Sequence, residues 1–255
     1  MNKTMIKLGL IGYKLEHSFS KGYFTEKFQK ENIDHICYEN FSIENISYFP
    51  QIVEQEPRLY GVNVTIPYKE SIIPYLDEIS DLARETGAVN TVRIERNQDR
   101  PYLKGYNTDV PGFKETITPF ADQLKKALVL GSGGASKAII RALEELGIKY
   151  LLVSRKSSKD AITYKDIDDK IIDTHQLIVN CTPLGMKGYD EVKPPLPYHN
   201  IKNSHFLYDL IYNPTETPFL LEGKKRGAKT KNGREMLERQ AEHSWDIWEN
   251  VLKRL

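Results

Sequence analysis

The chain has 255 residues, enough for one large domain or two ordinary ones, and its 40% hydrophobic and 28% charged content is that of a folded globular protein. With 36 Lys and Arg against 35 Asp and Glu, the formal charge is +1, which lacks the basic bias of a nucleic-acid-binding surface. The 2 cysteines, Cys37 and Cys181, exclude a disulfide framework, and the opening MNKTMIKLGLIGY has an apolar run too short for a signal-peptide core or a membrane span. The expectation is a soluble cytoplasmic protein with no membrane or nucleic-acid partner.

LGLIGY at 8–13 reads as a strand, and HSFSKGYFTEKFQKEN follows it as a helix with Phe19, Tyr23, Phe24 and Phe28 on one face. Ser18 and Ser20 are expected just before that helix. Serine is a favoured helix cap, but one serine suffices, which leaves the other free to bind something. A strand near 36–41 and a helix near 44–55 lead to NVTIPYKE at 63–70. There Asn63 and Thr65 alternate with Val64 and Ile66, so both polar side chains face one side until Pro67 ends the pairing. Lys69 follows; taken alone, a lysine is most often a solvated surface residue. A helix over 79–86 ends at Gly87, and 88–95 with 100–107 form a hairpin around RNQD, flanked by Asn90 and Asp109. Asp109 also suits a helix cap, with Pro111 in the first turn.

Residues 126–155, KALVLGSGGASKAIIRALEELGIKYLLVSR, form a βαβ unit in sequence. An apolar strand meets a glycine cluster. A helix with Ala138, Ile139, Ala142, Leu143 and Leu146 on one face stops at Gly147, and YLLVSR is the second strand. Gly131 permits a tight turn, and Gly133 lets the backbone approach a pyrophosphate at the positive end of the helix. The third glycine of the dinucleotide fingerprint is replaced by Ser136. A glycine-rich turn without a ligand would look similar in isolation, but strand, helix and second strand together favour a nucleotide. Where an NAD-binding chain usually carries an acidic residue for the ribose, this chain has Ser154, Arg155, Lys156, Ser157, Ser158 and Lys159; a solvated basic loop would look the same, but the placement about 24 residues after Gly131 favours a 2′-phosphate and hence NADP. LIVN at 177–180 and FLYDLIY at 206–212 add strands to a mostly parallel sheet, and the Pro- and Gly-rich 183–200 reads as a long loop. In the last helix Leu237, Ala241, Ser244, Trp248, Val251 and Leu255 trace an apolar stripe, with Gln240 at its edge.

HSFS at 17–20, NVTIPYK at 63–69, GAVNT at 87–91, GYNTD at 105–109, GSGGAS at 131–136, NCTPLGM at 180–186 and NGREMLERQA at 232–241, in that order, resemble the shikimate dehydrogenase family. The resemblance implies an α/β protein with an N-terminal α/β substrate domain, a Rossmann-type NADP-binding domain and a cleft between them. The expected division is 1–107 plus 233–255 against 108–232. It implies NADPH-linked interconversion of 3-dehydroshikimate and shikimate, on the way to aromatic compounds; the assembly expected is a monomer or homodimer, and the 6 scattered histidines, with no HxxxH or CxxC pattern, point to no metal site. Carried over residue by residue, Ser18 and Ser20 bind the substrate carboxylate. Thr65, Asn90 and Asp109 bind hydroxyls, with Tyr212 and Gln240 completing the pocket. Lys69 is the catalytic lysine, with Asp109 as its partner. Gly131, Ser132, Gly133, Gly134 and Ala135 form the diphosphate loop, Ser154, Arg155 and Lys159 the 2′-phosphate site, and Thr182, Leu210 and Gly233 further cofactor contacts. The sequence departs from the family pattern at Lys21, where proline is usual, and at Ser154 and Lys159, where asparagine and arginine are common. His17 reads as a structural neighbour of Ser18. Alternatives are a quinate/shikimate dehydrogenase of broader specificity and a non-catalytic NADP-binding regulatory protein.

Overall fold

Two six-stranded sheets organise the residues described by the computed structural model, which are 5–15, 18–96 and 99–253. His17, the centre of the RNQD turn and Leu255 lie outside them. The chain divides into two compact units, Met1–Thr108 with Ala241–Leu255, and Asp109–Gln240.

The first unit runs β1 (Ile6–Gly12), α1 (Phe19–Lys30), β2 (Ile36–Ser42), α2 (Phe49–Gln55), β3 (Leu59–Val64), β4 (Glu78–Ile79), α3 (Asp81–Thr86), β5 (Thr91–Glu95) and β6 (Tyr102–Tyr106). The sheet order is β2-β1-β3-β5-β6-β4. β1 is parallel to both β2 and β3, whereas β5 is antiparallel to β3 and β6. Alternation sends Leu8 and Leu10 to one face and Ile11 to the other. The first face packs Phe24 and Phe28 of α1. The second packs Phe49 and Val53 of α2 and Ala83 of α3. Gly87 ends α3 with φ +60°, as the sequence leads one to expect.

The second unit contains α4 (Asp109–Ile117), β7 (Lys126–Leu130), α5 (Gly134–Glu145), β8 (Lys149–Ser154), β9 (Ala161–Thr163), α6 (Asp169–Thr174), β10 (Leu177–Asn180), β11 (Phe206–Asp209), α7 (Pro218–Lys225) and β12 (Lys229–Lys231). Its sheet order, β9-β8-β7-β10-β11-β12, is parallel throughout. This is the doubly wound 3-2-1-4-5-6 arrangement, which places its switch point between β7 and β10. β11 stops at Asp209, short of the strand expected to reach Tyr212.

The last helix, α8 (Arg234–Leu252), crosses the unit boundary between Gln240 and Ala241, later than the division expected at 233. Its early turns carry contacts of the second unit, such as Arg239 with Glu115. Its later turns belong to the first unit, where Ala241, Trp245 and Trp248 join the α1 layer. Trp248 is fully buried, lies 5.6 Å from the Phe24 ring and donates Nε1–H to the Val92 carbonyl at 3.0 Å. A Cβ at Gly61 would stand 2.2 Å from that Nε1, so the indole occupies the space a side chain on β3 would need. No helix among the described residues is long and apolar enough to cross a membrane.

Trp248→Ala is expected to lower the stability of the first unit by about 3–5 kcal/mol, the range for removing a buried aromatic. Denaturant unfolding measures it, and a loss below about 1 kcal/mol would contradict this role for the helix.

Candidate active site

β1 and β3 run parallel, so both release their loops at the same edge of the sheet. Gly12 marks the place where those loops meet. A Cβ there would lie 2.6 Å from Thr65 Cγ2 and 2.7 Å from Leu15 Cδ2. Thr65 stands just beyond the strand and donates its N–H to the Ile11 carbonyl at 2.9 Å. The β1–α1 loop is held from β2: Leu15 N–H donates to Ser42 Oγ at 3.1 Å, and Asn40 Nδ2 donates to the Leu15 carbonyl at 3.0 Å.

Ser18 occupies the cap position of α1, but its hydroxyl caps nothing. Ser18 Oγ is buried and has no hydrogen-bond partner among the described residues. A buried orphan hydroxyl costs about 1–3 kcal/mol, so this is a position where a ligand oxygen would be stabilising. Ser20 lies inside the first turn rather than ahead of the helix and is buried.

Lys69 follows the turn after β3, and its carbonyl accepts from Val89 N–H at 2.7 Å. The next residue, Asn90, accepts Val64 N–H on its carbonyl at 2.8 Å. Thr65, Lys69 and Asn90 are therefore brought to one edge. Asn90 also holds the chain ahead of Asp109: its Oδ1 accepts Thr108 N–H at 2.7 Å, and its Nδ2 donates to Thr108 Oγ1 at 2.9 Å.

Asn63, placed by alternation on the same side as Thr65, is satisfied internally. Its amide is buried and used within the protein. Tyr38 hydroxyl donates to Oδ1 at 2.8 Å, while Nδ2 contacts Ser244 Oγ at 2.9 Å, Thr91 Oγ1 at 3.1 Å and the Asn90 carbonyl at 3.2 Å.

In the second unit, Asp109 is the first residue of α4 and is buried. Gln240, also buried, donates Nε2–H to the Leu237 carbonyl of its own helix at 2.9 Å. A Cβ at Gly112 would lie 3.0 Å from the Gln240 backbone nitrogen, so the missing side chain lets α4 approach α8 beside both residues. Tyr212 is half-buried, and burial raises its pKa while the Arg234 charge opposes the rise.

At the switch point, Gly131 has φ +102°, the left-handed region that favours glycine, and a Cβ there would press on Thr182 Cγ2 at 3.0 Å. Gly133 caps α5, and nothing stands within 4 Å of where its Cβ would be. Local packing does not require glycine there, whereas a ligand lying against the backbone would. Ser132, Gly134 and Ala135 complete the turn at the helix N-terminus, whose first N–H groups have no intrahelical acceptor. Arg155 and Lys159 are exposed beyond β8. Ser154 Oγ closes a local turn instead, donating to the Lys156 carbonyl at 2.6 Å and accepting its N–H at 3.2 Å. The residues present fit a dinucleotide with a 2′-phosphate. Leu210 and Gly233 touch: a Cβ at Gly233 would fall 2.0 Å from the Leu210 carbonyl oxygen.

One group at this edge was not singled out from sequence. Asp209, fully buried, ends β11. Its Oδ1 accepts Asn180 Nδ2–H and Ile211 N–H, each at 3.0 Å, and its Oδ2 accepts Thr217 Oγ1–H at 2.6 Å. Burial pushes its pKa up to about 6, against those three hydrogen bonds, which favour the charged form. The signal was present, since the apolar runs LIVN and FLYD each end on a polar residue.

This sheet, its glycine turn and its basic β8 end define a doubly wound nucleotide-binding protein, here joined to a mixed α/β unit. A family model described as the shikimate dehydrogenase substrate binding domain matches residues 10–92. The chain is 36% identical to the shikimate dehydrogenase (NADP(+)) of Methanosphaera stadtmanae, over 96% of this chain and 92% of that relative. A crystal structure of shikimate dehydrogenase 1 from Peptoclostridium difficile superposes with a TM-score of 0.81 at 39% identity, covering 97% of this chain and 92% of that one. The shikimate 5-dehydrogenase of Thermus thermophilus, solved with NADP(H) and shikimate, gives a TM-score of 0.83 at 29% identity, covering 96% and 93%. The chain belongs to the shikimate dehydrogenase family.

Because the Asp209 value is raised on folding, its contribution to stability is full below the ordinary carboxylate value of about 4 and declines as pH rises through about 6. The ionisable neighbours Cys181 and Tyr198 are pushed up by burial and stay neutral across this window. The unfolding free energy of the wild type, relative to Asp209→Asn, is therefore expected to rise as pH falls from about 7 to about 4. Denaturant titrations at intervals across that range check it, and parallel curves for the two proteins would refute it.

Proposed function

We propose that the protein catalyses the reversible NADPH-dependent reduction of 3-dehydroshikimate to shikimate, with Lys69 as the proton donor and acceptor. The observation that carries the reading is the gathering of Thr65, Lys69 and Asn90 at the edge where the loops after β1 and β3 meet, in a chain whose other unit is doubly wound. The Ser18 hydroxyl beside that edge, without a partner among the described residues, supports a carboxylate subsite, to which Ser20 contributes from the first turn of α1. Membrane and nucleic-acid partners have no part in this reading, and the enzyme works in the cytoplasm.

Reduction of a ketone needs a hydride, which the nicotinamide supplies when the cofactor is bound, and a proton for the oxygen. Lys69 holds that proton on Nζ. It stabilises the developing alkoxide, donates to it, and takes the proton back in the reverse direction. Thr65 and Asn90 hold substrate hydroxyls, and the family resemblance gives Asp109 the roles of partner to Lys69 and hydroxyl binder, and Tyr212 and Gln240 those of further substrate contacts. Gly131 to Ala135 hold the diphosphate, Arg155 and Lys159 the 2′-phosphate, and Thr182, Leu210 and Gly233 the remainder.

Absorbance of reduced nicotinamide, with shikimate and NADP⁺ run beside quinate and NAD⁺, tests the activity. Turnover with shikimate and NADP⁺ above all other pairs is expected. Comparable turnover with quinate or NAD⁺ would favour the broader dehydrogenase, and none with any pair would favour a binding protein. Lys69→Ala should lower kcat by at least about two orders of magnitude, the lower range for general acid–base catalysis, and near wild-type turnover would remove Lys69 from the chemistry. Arg155→Ala should raise the KM for NADPH far more than that for shikimate, and equal effects would remove the basis for the phosphate site.

A further inference from the structure

Asp209 makes no contact that the proposed chemistry uses, yet the cofactor end of the second unit converges on it. A carboxylate only accepts hydrogen bonds, so it dictates the orientation of any amide that meets it. Asn180 must turn its Nδ2 toward Asp209 Oδ1, which leaves its own Oδ1 facing the loop after β10. That oxygen accepts both the Thr182 N–H at 3.0 Å and the Thr182 Oγ1–H at 2.6 Å. Thr182 in turn sits against the Gly131 turn. The same Asp209 Oδ1 accepts Ile211 N–H, and the Ile211 carbonyl accepts Gly233 N–H at 3.0 Å. Two arms thus leave one oxygen: one reaches Thr182 and the glycine turn, the other reaches Leu210 and Gly233. Oδ2 points elsewhere, to Thr217, whose hydroxyl caps α7 by accepting Leu220 N–H at 3.3 Å.

We infer that Asp209 is a positioning residue for the cofactor. Through Oδ1 it fixes the Asn180 amide and the Ile211 backbone, and so sets the loops that carry Thr182, Leu210 and Gly233. The inference rests on the nucleotide-binding reading of those loops. It also divides the carboxylate into an oxygen that serves the cofactor and an oxygen that serves only the helix cap.

The division makes it testable in the full-length enzyme. The readouts are the NADPH Kd from quenching of protein fluorescence, the KM for shikimate, and denaturant unfolding of each variant. Asn180→Ala cuts the first arm and should weaken NADPH about tenfold, the effect of one net hydrogen bond at the upper end of its usual range, with the shikimate KM within about twofold. Thr217→Val removes the Oδ2 bond and the α7 cap together but leaves both arms from Oδ1, so it should lower stability by at least a similar amount while leaving the NADPH Kd within about twofold. Asp209→Ala should weaken NADPH more than Asn180→Ala does. Asp209→Asn, which keeps an oxygen for Asn180 and Ile211, should recover most of that loss. If Asp209→Ala does not fold, the Asn180→Ala and Thr217→Val pair decides alone. A folded Asn180→Ala with wild-type NADPH affinity, or a Thr217→Val that weakens NADPH equally, would overturn the inference while leaving the nucleotide site intact. Failure of the wild type to bind NADPH would overturn the nucleotide reading and the inference with it.

Discussion

The buried amide of Asn63 is the interaction on which the first unit depends. It sits one residue from the end of β3 and joins Tyr38 of β2, Thr91 of β5 and Ser244 of α8 through one side chain. Its contacts leave none of its polar atoms idle, and removing Tyr38 would leave its buried Oδ1 without the donor it has. Two residues later the chain reaches Thr65, and then Lys69. Their placement follows from where this amide anchors the strand, so the residue before the site is as demanding of its surroundings as those within it.

The second unit uses the same device with a charge. Asp209 and Asn180 end adjacent parallel strands and bond to one another at the edge where a doubly wound sheet presents its ligand crevice. In both units a polar group closes an otherwise apolar strand and is satisfied by donors or acceptors from distant sequence. Apolar packing determines which face of each strand is buried. These polar closures determine the register in which the loops depart.

How much of this could be read beforehand depended on the range of the interactions. The βαβ unit, the glycine turn and the stripe on the last helix repeat at fixed spacing, so the fold class and the cofactor end were legible. The three-residue strands β9 and β12, the two-residue β4 and the short helices α6 and α7 were not, because elements so short carry little or no period and tertiary pairing creates them. Asn63 was seen as polar and placed on a face, but its partner Ser244 lies 181 residues away, so nothing local distinguished a ligand contact from an internal one. Ser20, expected ahead of the helix, lies in its first turn, because α1 already begins at Phe19. The unit boundary inside α8 was displaced because apolar periodicity runs on unchanged while the contact partner changes.

The meeting of Gly233 with the Leu210 carbonyl has a consequence for how this surface can change over generations. Every replacement of glycine adds a Cβ, and here it would land 2.0 Å from a backbone oxygen that no rotamer can move. Any point substitution at that spot would have to displace main chain, whatever the chemistry of the incoming side chain. An inhibitor resting on this stretch of main chain would face a contour that drug selection cannot redraw there, and resistance would have to arise among neighbours that present side chains, Tyr212 being one.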